Sequence, residues 1–146
     1  EVSEIVRNAK GEIESKLQKR ESFDAATGNK KGSATIETRY NKDGSSTQLK
    51  TEYDALDRKK STLETTNAGT VKTEYDDLGR EKKVTMKDRD GNTSVETNSF
   101  DAAGNRTSFL TEVKDAAGKT TEHFKVDLAT NKKTDLLTGT ISDYVV

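Results

Sequence analysis

Five aspartates recur along the chain, Asp24, Asp54, Asp76, Asp101 and Asp115, and paired carboxylates are the usual apparatus of general acid–base chemistry. Their spacing assigns them elsewhere. Each opens a short segment, DAATG (24–28), DALD (54–57), DDLG (76–79), DAAG (101–104) and DAAG (115–118). Asp at the first position of a type I turn accepts a hydrogen bond from the backbone N–H two residues on, and Gly suits the fourth. Asp54, Asp76, Asp101 and Asp115, with Gly79, Gly104 and Gly118, therefore read as turn residues. The run DRDGNTSVE (88–96) offers calcium the oxygens of Asp88, Asp90, Asn92 and Glu96. In the EF-hand register the first ligand position falls on Met86 and the last on Thr97, so that loop fails. His123 is the only histidine and there is no cysteine, which leaves neither a metal set nor a nucleophile–base pair. No Gly-rich phosphate loop occurs. The reading is a non-enzyme without a cofactor.

Aromatic side chains form the other series, at Phe23, Tyr40, Tyr53, Tyr75, Phe100 and Phe124. They suit either packing on a sheet face or stacking on a glycan or another protein chain. Three of them end one phrase: IETRYN (36–41), LKTEYD (49–54) and VKTEYD (71–76). The phrase alternates an apolar residue, Thr and an aromatic with charged residues. A strand's side-chain period of two puts the first set on one face and the charges on the other. Tyr40, Tyr53 and Tyr75 are thus expected on a common face. In VETNSFD (95–101) Phe100 lies one residue later than its relatives, and a bulge is expected to restore its face.

Turn signals recur every 10 to 17 residues or so and leave strands of about seven to ten residues. The fold expected is all-β, an antiparallel up-and-down meander of about ten hairpin-connected strands in a thin, twisted sheet. Residues 1–19 form an N-terminal hairpin region, 20–127 a repeat array and 128–146 a degenerate capping segment. No helix is expected. The nearest candidate, 3–20, is interrupted at Gly11 in the turn signal NAKG.

Only 29% of the 146 residues are hydrophobic, 35% are charged, and the net charge is −1. The balanced charge excludes the basic field that nucleic acid needs, and no apolar run reaches the roughly 18 residues of a membrane span. Apolar residues at strand spacing and the absence of proline argue against disorder. So thin an apolar supply predicts a sheet whose face is covered partly by neighbouring repeats or another chain, with self-association. An opening at Glu1 without a signal-like segment is expected of a mature product or an excised piece.

The phrases YDALDRKK (53–60), YDDLGREKK (75–83) and FDAAGNRTS (100–108) resemble the YD repeats of Rhs-type proteins, found in bacterial polymorphic toxins, toxin-complex shells and teneurin-like surface proteins. Asp57 stands where the repeat has Gly, Asn41 replaces Asp and Val113 the aromatic. The resemblance covers residues 20–127 and implies a β-ribbon that, in long arrays, spirals into a shell around a cargo. It implies a structural or interaction module of a secreted or cell-surface bacterial protein. The alternatives are an adhesin-type module binding glycan or protein through an aromatic face, and a subunit joined edge to edge in a fibre.

Overall fold

A computed structural model describes residues 2–145, and among them every regular element is a strand. The twelve are β1 (Val2–Arg7), β2 (Ile13–Phe23), β3 (Lys30–Tyr40), β4 (Ser46–Asp54), β5 (Lys59–Thr66), β6 (Gly69–Tyr75), β7 (Glu81–Asp88), β8 (Thr93–Phe100), β9 (Arg106–Lys114), β10 (Thr120–Asp127), β11 (Lys132–Asp135) and β12 (Ile141–Asp143). The chain packs as two compact units, Glu1–Arg80 with β1–β6 and Glu81–Val146 with β7–β12. Within each, strand order is chain order and every pair is antiparallel. The all-β meander expected from the turn spacing is what forms. The stretch weighed as a helix, 3–20, is β1, a turn at NAKG and most of β2.

Two strands exceed the expected ten. Both, β11 and β12, lie in 128–146, where the phrase decays. The turn between them is built by Asp135, whose backbone oxygen accepts the N–H of Gly139 at 2.7 Å. Its Oδ1 accepts from Leu137 and Thr138. The adjacent Leu136 and Leu137 are exposed turn residues.

Most turns repeat one geometry. At Asp76 the backbone N–H donates to the Arg80 oxygen (2.9 Å), and Gly79 donates back to the Asp76 oxygen (3.0 Å). This is a type I turn followed by a residue with positive φ, and in the β1–β2, β4–β5, β8–β9 and β9–β10 hairpins the returning strand carries an extra residue. Asp57 takes the glycine role in its turn at φ 59°. A left-handed conformation is strained for an L-residue but tolerable for Asp. Asp57→Gly is therefore expected to raise the thermal unfolding midpoint by a few degrees, although it removes the exposed ion pair to Lys30 (2.5 Å). Asp57→Val, with a branched Cβ, is expected to lower it, and a thermal melt by circular dichroism reads both.

The extra residue decides which face each aromatic occupies. In the β4–β5 hairpin, Glu52 faces Ser61 but Tyr53 faces Lys59, which skips Lys60. The β3–β4 hairpin has no such skip: Thr35 faces Thr51 and Tyr40 faces Ser46. Odd residues thus meet odd ones, and Ile36–Thr38–Tyr40 lies on the face opposite Leu49–Thr51–Tyr53. Through Thr51–Thr62 and Thr62–Thr73, Tyr75 shares the Tyr53 face. The common face expected for all three tyrosines holds for two. A one-residue offset inverts every side chain of a strand, and the phrase alone cannot report where its partner bulges. Phe100 differs likewise. The skip falls on Thr107 of β9, between the pairs Ser99–Ser108 and Phe100–Arg106. Alternation along β8 is unbroken, so Phe100 points away from the Val95 face rather than back to it.

Each unit is one layer of sheet. In the first, Thr35, Thr51, Thr62 and Thr73 stand side by side across four strands, and Thr51 and Thr73 are buried. Branched side chains facing one another fit the pleat. The buried hydrophobics are Phe109 (7% exposed) and Val126 (0%), partners across β9 and β10. Tyr144 closes over Phe109 edge-on at 5.7 Å, held by its N–H to the Asn131 oxygen. The second unit's small core lies there.

Candidate interaction faces and the turn carboxylates

The recurrent carboxylates are consumed by the turns they open. Oδ1 of Asp54 accepts the N–H groups of Leu56 and Arg58, both at 2.9 Å, while Oδ2 accepts Arg58 Nε at 2.7 Å. Asp76 repeats this with Leu78 and Arg80, Nε again at 2.7 Å. Asp101 does so with Ala103 and Asn105, whose amide reaches Oδ2, and Asp115 Oδ1 accepts the N–H groups of Ala117 and Lys119. Asp24 takes the N–H groups of Ala26 and Thr27. A fixed physical logic underlies Asp-x-x-Gly-Arg/Asn: the acid gathers two N–H groups, glycine supplies positive φ, and the fifth residue holds the second oxygen. Arg58, Arg80 and Asn105 are partners that the reading from sequence passed over, although their constant spacing of four from each Asp was the signal.

Four of these carboxylates, Asp24, Asp54, Asp76 and Asp101, are poor bases. Backbone N–H donors hold Asp54, Asp76 and Asp101 below the usual carboxylate range, the fifth residue's N–H contributing most and its side chain reinforcing it. The Thr27 and Ala26 N–H groups do the same for Asp24. Folded values below unfolded ones mean that this stabilisation is complete above the unfolded value, about pH 4, and is lost as pH falls through the folded values. Urea midpoints are accordingly expected to be level from pH 7 to about 5 and to fall below about 4. A midpoint rising on acidification contradicts the turn role.

The remaining candidates are also placed. Asp88 Oδ1 takes the N–H groups of Asp90 and Asn92, and Oδ2 the Asn92 amide at 2.9 Å. Among the described residues no three His, Asp or Glu side chains gather as a metal needs. His123 Nδ1 lies 3.9 Å from Glu112 on the neighbouring strand, both half-exposed. A groove of about 240 Å³ in the first unit is lined by Arg20, Gly32, Ala34, Glu52, Tyr53 and Lys60 among others. Its carboxylate, Glu52, is engaged by Lys50 at 3.1 Å and Ser61 Oγ at 3.3 Å. No helix among the described residues is long and apolar enough to cross a membrane.

The aromatic series does not form one platform. Tyr40, 46% exposed, is on one face of the first unit; Tyr53 and Tyr75 are on the other, with Lys59 of β5 between their strands. Lys59 Nζ sits 4.3 Å from the Tyr75 ring centroid. Phe124 shares its face with Phe109 and Val126 and carries Lys133 Nζ at 4.2 Å, while Arg106 stacks on Phe109 at 4.7 Å. These rings are occupied by the chain's own cations.

The chain matches no protein-family model and no curated protein.

Proposed function

We propose that the chain is a non-catalytic structural and interaction module of a secreted or cell-surface YD-repeat protein, contributing part of a β-sheet shell or stalk. One observation carries this reading: the recurrent side chains able to do chemistry, Asp54, Asp76 and Asp101, have both carboxylate oxygens bonded within their own turns. What the chain repeats is a way of turning a sheet. The resemblance of YDALDRKK, YDDLGREKK and FDAAGNRTS to Rhs-type repeats supplies the shell or stalk context. The cations seated on Tyr75 and Phe124 make stacking on glycan the weaker alternative, since a sugar must displace them.

The test is where the natural protein resides and what it looks like. Antibodies raised against the 146-residue chain are expected to label intact source cells or the culture medium, and negative-stain images of the affinity-purified product to show a shell or rod. Confinement to the cytosolic fraction overturns the reading. Binding on a glycan array that is lost in Tyr53→Ala or Tyr75→Ala variants shifts it to the adhesin alternative.

A further inference from the structure

The two faces of the first unit carry complementary rows of charge. On the Tyr53 face, Glu37 of β3 stands beside Leu49 of β4, and Leu49 beside Glu64 of β5. On the opposite face, one residue along, Lys50 of β4 stands beside Leu63 of β5, and Leu63 beside Lys72 of β6. The first row reads acid–apolar–acid and the second base–apolar–base. Leu49 and Leu63 are half-buried, while Glu64 and Lys72 are exposed and, among the described residues, have no ion-pair partner. Glu37 and Lys50 hold only surface neighbours, Arg39 and Glu52.

From this register we infer that the first unit binds a second copy of the same chain face to face, the acidic row of one on the basic row of the next. A stagger of one strand, about 4.8 Å, sets Glu37 over Lys50, Leu49 over Leu63 and Glu64 over Lys72, across the roughly 10 Å that separates packed sheets. The partner follows from the charges. A two-fold pairing of either row with itself sets Glu on Glu or Lys on Lys, whereas a head-to-tail pairing sets opposite charges together along these rows. Six strands of about eight residues offer roughly 700 Å² a side, the size of an ordinary stable interface. Head-to-tail contacts leave an open face at each end, so the assembly grows as a stack. This goes beyond the repeat-family reading and stands without it.

Paired charge reversals test it on the whole chain. Sedimentation velocity of the native protein at about 20 mM salt is expected to show mass rising with concentration past that of a dimer, and falling back at about 0.5 M salt. Glu37→Lys with Glu64→Lys, and separately Lys50→Glu with Lys72→Glu, are each expected to associate at least tenfold more weakly. An equimolar mixture of the two variants is expected to associate again, because every reversed face then meets its complement. Circular dichroism checks that each variant keeps its strand spectrum; Glu37→Gln with Glu64→Gln, expected to give an intermediate loss, replaces one that does not. A native chain monomeric at every concentration overturns the proposal, as does a mixture that stays apart. Association that survives both reversals but disappears with Ile5→Lys on β1 belongs to the strand edge, and also overturns it.

Discussion

Phe109→Ala is expected to lower stability by about 3–5 kcal/mol, the ordinary loss for a buried aromatic. Phe109 has no substitute. Among the described residues it and Val126 are the buried hydrophobics; Val126 is its partner across the β9–β10 pair, and its ring lies 5.7 Å from that of Tyr144 and 4.7 Å from the Arg106 guanidinium. Truncation leaves Tyr144 without the surface on which its segment closes and Arg106 without its ring. Urea unfolding followed by far-ultraviolet circular dichroism reads the effect. Phe109→Leu, which keeps most of the volume, is expected to lose markedly less. A Phe109→Ala loss below about 1 kcal/mol refutes the placement of the core at the β9–β10 pair.

Gly32→Ala should destabilise the first unit by about 1–3 kcal/mol through crowding. Gly32 is buried in β3, with Ser22 of β2 on one side and Asp54 of β4 on the other. A methyl group there meets the Tyr53 carbonyl oxygen at 2.6 Å. That atom is backbone in a paired strand, so relief requires β3 and β4 to part. The same denaturant series measures it. An unchanged midpoint means that the strands shift without cost, and the close approach then has no energetic weight.

The sheet was legible in the sequence because its determinants are local. Asp at the first position and Gly at the fourth fix a turn by their own hydrogen bonds and φ, and alternation along TEYD or ETNSF fixes a strand. Asp135 and Gly139 were missed as a turn because they lack the aromatic phrase, although their spacing matches that of Asp24 and Gly28. Facing was less legible. Whether Tyr40 shares a side with Tyr53 depends on an extra residue such as Lys60 in a neighbouring hairpin, and its absence from the β3–β4 hairpin is no property of IETRYN. The carboxylates Asp54, Asp76 and Asp101 were assigned to turns from position alone. Arg58, Arg80 and Asn105 complete the bond from the position just before the next strand, where a polar residue looks merely solvated.

The single layer of each unit bears on how the chain responds to temperature. Among the described residues the buried hydrophobics are Phe109 and Val126, whereas compact domains of this length bury most of their Ile, Val, Leu and Phe side chains. Unfolding therefore uncovers less new apolar area than usual, and apolar hydration is the source of the heat-capacity increment. A small increment flattens the stability curve: the enthalpy of unfolding changes little between cold and warm, and the temperature of cold denaturation moves far below freezing. The same deficit of newly exposed area lowers the denaturant m-value. The cost is a transition that is broad at every temperature, so a sheet wetted on both sides exchanges sharpness of unfolding for breadth of working range.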